Sequence, residues 1–107
     1  MDNVRPASHS VNISDEVLCR VAALAAQDVE GVASLGAVRS LRNPAAQAVT
    51  IQNLGGAISV NAYIRVRSDA RAVSVASAVQ NAIKRGIQDM TGVTAVHVHV
   101  EITGMEE

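Results

Sequence analysis

Gln88-Asp89-Met90-Thr91-Gly92-Val93, followed by Ala95–Ile102, is the stretch whose reading decides the fold. Ahead of it, Val75, Val79, Ile83 and Ile87 recur at helical spacing. Behind it, Val96, Val98, Val100 and Ile102 alternate with His97, His99 and Glu101. A period near 3.6 that gives way to a period of two at a glycine marks a helix that stops and a half-buried strand that begins. Gly92 supplies the left-handed residue that helix ends favour. A similar run, Gln27-Asp28-Val29-Glu30-Gly31-Val32, closes an earlier helical pattern. The two runs reflect either a duplicated unit or, more simply, two helices with the same exit geometry.

Toward the N-terminus, residues 1–8 form a polar leader with Pro6, expected to be loose. His9–Ile13 is expected to be extended. Ser14 then reads as a helix N-cap, with Asp15 and Glu16 in the first turn where the helix dipole favours negative charge. Ile13 and Leu18 occupy the positions of a hydrophobic staple. Val17, Leu18, Val21, Leu24, Ala25 and Val29 make one apolar face, with Gly31 expected as the C′ stop.

Val32–Val38 reads as a short apolar segment broken at Gly36, and residues 39–47, with Asn43-Pro44, read as a loop. A hairpin follows: Ala48–Asn53, a Gly55-Gly56 turn, and Ala57–Arg67. On its second arm Ile58, Val60, Ala62, Ile64 and Val66 point one way. Ser59, Asn61, Tyr63, Arg65 and Arg67 point the other. A second helix is expected over Ala70–Met90, capped by Ser68 or Asp69, burying Ala72, Val75, Ala76, Val79, Ile83, Ile87 and Met90. The last strand is expected to stop at Gly104, leaving 105–107 as a short acidic tail. The whole predicts one α+β domain over 9–104. Its form is a two-layer sandwich, with two helices on one face of a small three- to four-stranded, mostly antiparallel sheet.

Composition bounds the function. The chain has 107 residues, is 49% hydrophobic, and carries Tyr63 as its single aromatic. Small side chains bury little area each, so a core of Ala and Val is only marginally stable alone and self-association is expected. A net charge of −1 argues against a strong non-specific nucleic-acid binder. Cys19 cannot form an intrachain disulfide and suits a reducing compartment. There is no secretory signal pattern and no apolar run long enough to span a bilayer. A cytoplasmic protein is expected, reaching the membrane only through a partner.

These patterns resemble the bacterial alkaline shock protein / envelope stress response family. The matching residues are Val11-Asn12-Ile13, Val17, Val21-Ala22, Ala25, Val29-Glu30-Gly31-Val32, Val60–Val66, Val79-Gln80, Ile83, Ile87, Met90-Thr91-Gly92-Val93, and Val96 to Gly104. The resemblance implies a small α/β domain without recognised enzymatic activity. It implies a role in cell-envelope homeostasis, as an oligomerising interaction module held at the inner face of the membrane by an integral partner.

The residues offer few chemical alternatives. His97 and His99 leave one strand face about 7 Å apart, and Glu101 continues the row, so the three are candidates for metal ligation. The plain alternative is an exposed polar strand face, and no cofactor is expected. Cys19 has no base nearby and reads as packing. Tyr63, Arg65 and Arg67 on one face, with an element order like that of a KH module, allow a small RNA-binding domain. One aromatic and no phosphate-clamping loop make that the second choice. No nucleophile–base set or phosphate loop occurs. The surface expected to carry recognition is Tyr63, Arg65, Arg67, His97 and His99, or a free strand edge.

Overall fold

A computed structural model describes residues 13–36 and 48–107. The expected leader, the extended segment up to Asn12 and the 39–47 loop lie outside these residues. The order of elements is α1 (Asp15–Gln27), β1 (Val32–Leu35), β2 (Val49–Asn53), β3 (Ala57–Arg67), α2 (Ala72–Thr91) and β4 (Ala95–Glu106). Both helices pack on one face of a four-stranded sheet and against each other.

β3 is the spine of the sheet. β2 pairs antiparallel with its first half, from Asn53↔Ile58 to Val49↔Ala62. β1 pairs antiparallel with its second half, from Leu35↔Ile64 to Val32↔Val66. The two short strands thus lie end to end along one edge of β3. β4 covers the other edge over its full length, Ala57↔Ala95 to Arg67↔Glu106, in parallel. Two of the three pairings are antiparallel, as expected. The longest is parallel because β3 and β4 are joined through α2, and a crossover helix returns the chain in the same direction.

The β3 expectation holds residue by residue: Ile58, Val60, Ala62, Ile64 and Val66 are all within 1% of full burial. From α2 they meet Val75, Val79, Ile83 and Ile87, and from α1 Leu18, Ala22 and Ala26. Every buried side chain among the described residues is aliphatic, and none is polar. The two helices approach closely where Gly86 faces Val21 and Ala25.

Five local expectations are corrected. α1 ends at Gln27, not beside Gly31: the Asp28 N–H bonds the Leu24 carbonyl at 3.1 Å, and Val29 N–H bonds Ala26 at 3.2 Å, tightening the chain into turns. Gly31 is needed for another reason. Its φ is +100°, and a Cβ there would lie 2.5 Å from Val75 Cγ2. The buried stripe of α1 runs through Leu18, Ala22 and Ala26, leaving Val17 and Leu24 exposed, because the small alanines let the helix sit close to the sheet. α2 begins after Arg71, with no side-chain cap at all, since Ser68–Ala70 form a turn rather than the helix entry. Met90 is exposed, past the last turn that meets the core.

The fifth correction concerns β4, which continues past Gly104 to Glu106. A bulge at Thr103 makes this possible. Ile102 is opposite Ile64, but Gly104 is opposite Arg65, so one extra residue is absorbed. The Thr103 hydroxyl donates to the carbonyls of Gly36 and Ile64, at 3.1 and 3.2 Å. Met105 and Glu106 therefore belong to the sheet rather than to a tail.

Candidate functional site

Among the described residues, the sheet face opposite the helices is uncovered and polar. β3 places Ser59, Asn61, Tyr63, Arg65 and Arg67 there, because its alternate residues are committed to the core. β4 adds His97, His99 and Glu101, opposite Ser59, Asn61 and Tyr63 respectively. Tyr63 is half-buried in the middle; Arg67, His97 and His99 are exposed.

The expected surface residues share this face but do not converge. His97 lies opposite Ser59, six positions along β3 from Arg65, a distance of about 20 Å along a strand. Tyr63 stands between a histidine end and an arginine end.

The arginine end is already engaged. Arg65 Nε donates to Glu106 Oε2 at 2.7 Å, and Arg65 Nη2 donates to the Met105 carbonyl at 3.3 Å. The Ser34 hydroxyl donates to the same Glu106 oxygen at 2.7 Å. These contacts tie β1, β3 and β4 together across the open face. Hydrogen bonds from Ser34 and Arg65 hold the Glu106 carboxyl below the usual glutamate range. Gly104 makes room for the arginine: a Cβ there would lie 2.6 Å from Arg65 Nη1. Arg67 Nε reaches Asp69 at 3.4 Å. Both guanidiniums of this face thus have carboxylate partners, which removes the bare basic stripe that phosphate binding uses.

Sequence reasoning missed Ser34 and Glu106. The bulge at Thr103 shifts the strand parity, so the alternation that predicts which side chains share a face fails there.

At the histidine end, His99 Nε2 lies 3.9 Å from Glu101 Oε1. Among the described residues no three of His, Cys, Asp and Glu come together in a group that could hold a metal ion. Cys19 is half-buried on α1; burial, then the charges of Asp15 and Glu16, push its thiol up, opposite to an activated nucleophile. No helix among the described residues is long and apolar enough to cross a membrane.

Comparison with known proteins follows the same lines. The model of the alkaline shock protein family, described as having cell envelope-related function, matches residues 4–107. Among solved structures, the copper form of MamM CTD superposes with a TM-score of 0.58 at 21% identity, over 86% of this chain and 86% of that one. A tryptophan-to-alanine variant of MamM CTD gives a TM-score of 0.58 at 19% identity, over 90% and 85%. At such identities the likeness is one of fold. No curated protein matches the chain. The chain belongs to the alkaline shock protein family.

Proposed function

From that membership we propose that this chain is a non-enzymatic interaction module of cell-envelope homeostasis. It self-associates and is recruited to the inner face of the membrane by an integral membrane protein. The observation that carries the reading is the open sheet face: a continuous polar surface around one half-buried tyrosine, on a domain of a family with cell envelope-related function. Tyr63 is the natural anchor. It offers a large rigid contact area with a polar tip, and Tyr is enriched among residues that dominate binding. His97 and His99 flank it on one side. Arg65 and Arg67, paired with Glu106 and Asp69, present a charged rim on the other.

The test is affinity capture of the tagged full chain from detergent-solubilised membranes of its own bacterium, beside the Tyr63→Ala variant. The expected result is one integral membrane protein that co-purifies with the parent chain and is depleted at least tenfold with Tyr63→Ala. Capture of RNA without a membrane protein, or equal capture by both chains, contradicts the reading.

A further inference from the structure

We propose that the free edge of β4 is the self-association surface, and that it pairs antiparallel with β4 of a second copy about a two-fold axis at Val100. The inference deepens the self-association reading above and rests on it.

The two edges of the sheet are not alike. One is made of β1 and β2, strands of 4 and 5 residues set end to end. Short strands like these blunt an edge. The other is β4, 12 residues long, hydrogen-bonded on one side only to β3 among the described residues. β4 has no proline, no lysine and no inward-pointing charge to protect its edge. Its bulge at Thr103 lies near one end, leaving Ala95–Ile102 regular.

The backbone that faces this edge can be identified. Gln80 Nε2, on α2, donates to the Val98 carbonyl at 2.9 Å, so Val98 turns its backbone away from β3. By the two-residue period of a strand, Val96, Val100 and Ile102 do the same. Gln80 satisfies one acceptor in the single chain and must swing aside when a second strand arrives.

Side-chain complementarity then selects the occupant and the register. Antiparallel partners that keep the core face aligned pair residues of equal parity. Centring on His99 would set two histidines against each other, and centring on Glu101 would oppose two carboxylates. Centring on Val100 sets His99 opposite the second copy's Glu101, twice by symmetry, and Val98 opposite its Ile102, also twice. An imidazole N–H can donate to a carboxylate set opposite it, whereas two carboxylates set opposite each other repel. The strand is complementary to itself in this register, with an apolar residue on the axis. His99 and Glu101, 3.9 Å apart within one chain, would become a four-residue ring.

The experiment measures mass by sedimentation over a wide concentration range for the parent chain, Glu101→Lys, and the swap His99→Glu/Glu101→Lys. All these positions are exposed, so the fold tolerates them. The expected result is a dimer for the parent, a dissociation constant raised about tenfold in Glu101→Lys, and recovery in the swap. A second arm uses Val100→Cys in a Cys19→Ala background. Residues opposed in this way sit about 5.5 Å apart, within disulfide reach. Mild oxidation is expected to give a covalent dimer at position 100, and none from His97→Cys in the same background. A parent dimer that ignores Glu101→Lys and crosslinks no better at 100 than at 97 overturns the edge assignment while leaving self-association standing. A parent chain that stays monomeric overturns both.

Discussion

Two glycines with different duties separate what single residues do here. Gly31 has φ +100° and no room toward Val75, part of the core wall. Gly31→Ala is expected to cost about 2–4 kcal/mol, combining backbone strain and overpacking. At Gly104 the obstacle is the far end of the long Arg65 side chain, so Gly104→Ala is expected to cost less than about 1 kcal/mol while displacing Arg65 from Glu106. Chemical denaturation of both variants checks the order; equal losses would contradict it. Glu106 gives the matching pH prediction. Its carboxyl is depressed in the folded chain by Ser34 and Arg65. A depressed carboxyl contributes stability above its unfolded value, about 4.3, and loses it as pH falls through the folded value. Thermal unfolding of Glu106→Gln is expected to be flatter than the parent's over that acidic interval, and unchanged slopes would refute the role. Tyr63, Arg65, His97 and His99 were legible as one polar face because alternation alone places them. Glu106 was not, because a bulge carries no sequence mark that alternation can read.

Helices and strands differ in how much of them the sequence revealed. β3 was legible to its ends, since five apolar residues alternate without interruption. The Gly92 stop was legible too: its φ of +76° and its N–H bond to Gln88 are what a glycine after a helical stripe implies. The faces of α1 were less so, because alanine is equally at home buried or exposed, and only the sheet beneath decides that Ala22 and Ala26 face inward. Helix entries show the same division. Ser14 accepts the Val17 N–H at 3.2 Å, so Ser14→Ala is expected to destabilise by about 1 kcal/mol. Arg71 occupies the N-cap of α2 in extended conformation, with no side-chain bond. Arg71→Asp is expected to stabilise by about 0.5–1 kcal/mol, by adding the missing cap and a favourable dipole contact. Melting curves of the two variants should move in opposite directions; a shift of the same sign in both would contradict the account.

Among the described residues, the molecule is one aliphatic core under one polar sheet face, with a long strand edge left open. The core is built from Leu18, Ile58, Ile64, Ile83, Ile87 and smaller residues, so each large member matters. Ile83→Ala, at a fully buried position between helix and sheet, is expected to cost about 2–5 kcal/mol by equilibrium unfolding. A loss of this size is comparable with the whole stability of a domain lacking buried aromatics, and the proposed association with a second copy would offset part of it by mass action. Fold class and the polar face follow from periodicity and family resemblance, whereas the length of the β4 edge follows only from the bulge that carries the strand past Gly104. The central claim, that the chain works by associating rather than by catalysis, is tested most directly by sedimentation equilibrium of the untagged full chain across a broad concentration range. The account predicts a mass that rises with concentration from one chain to two. A mass fixed at that of a single chain at every concentration would contradict it.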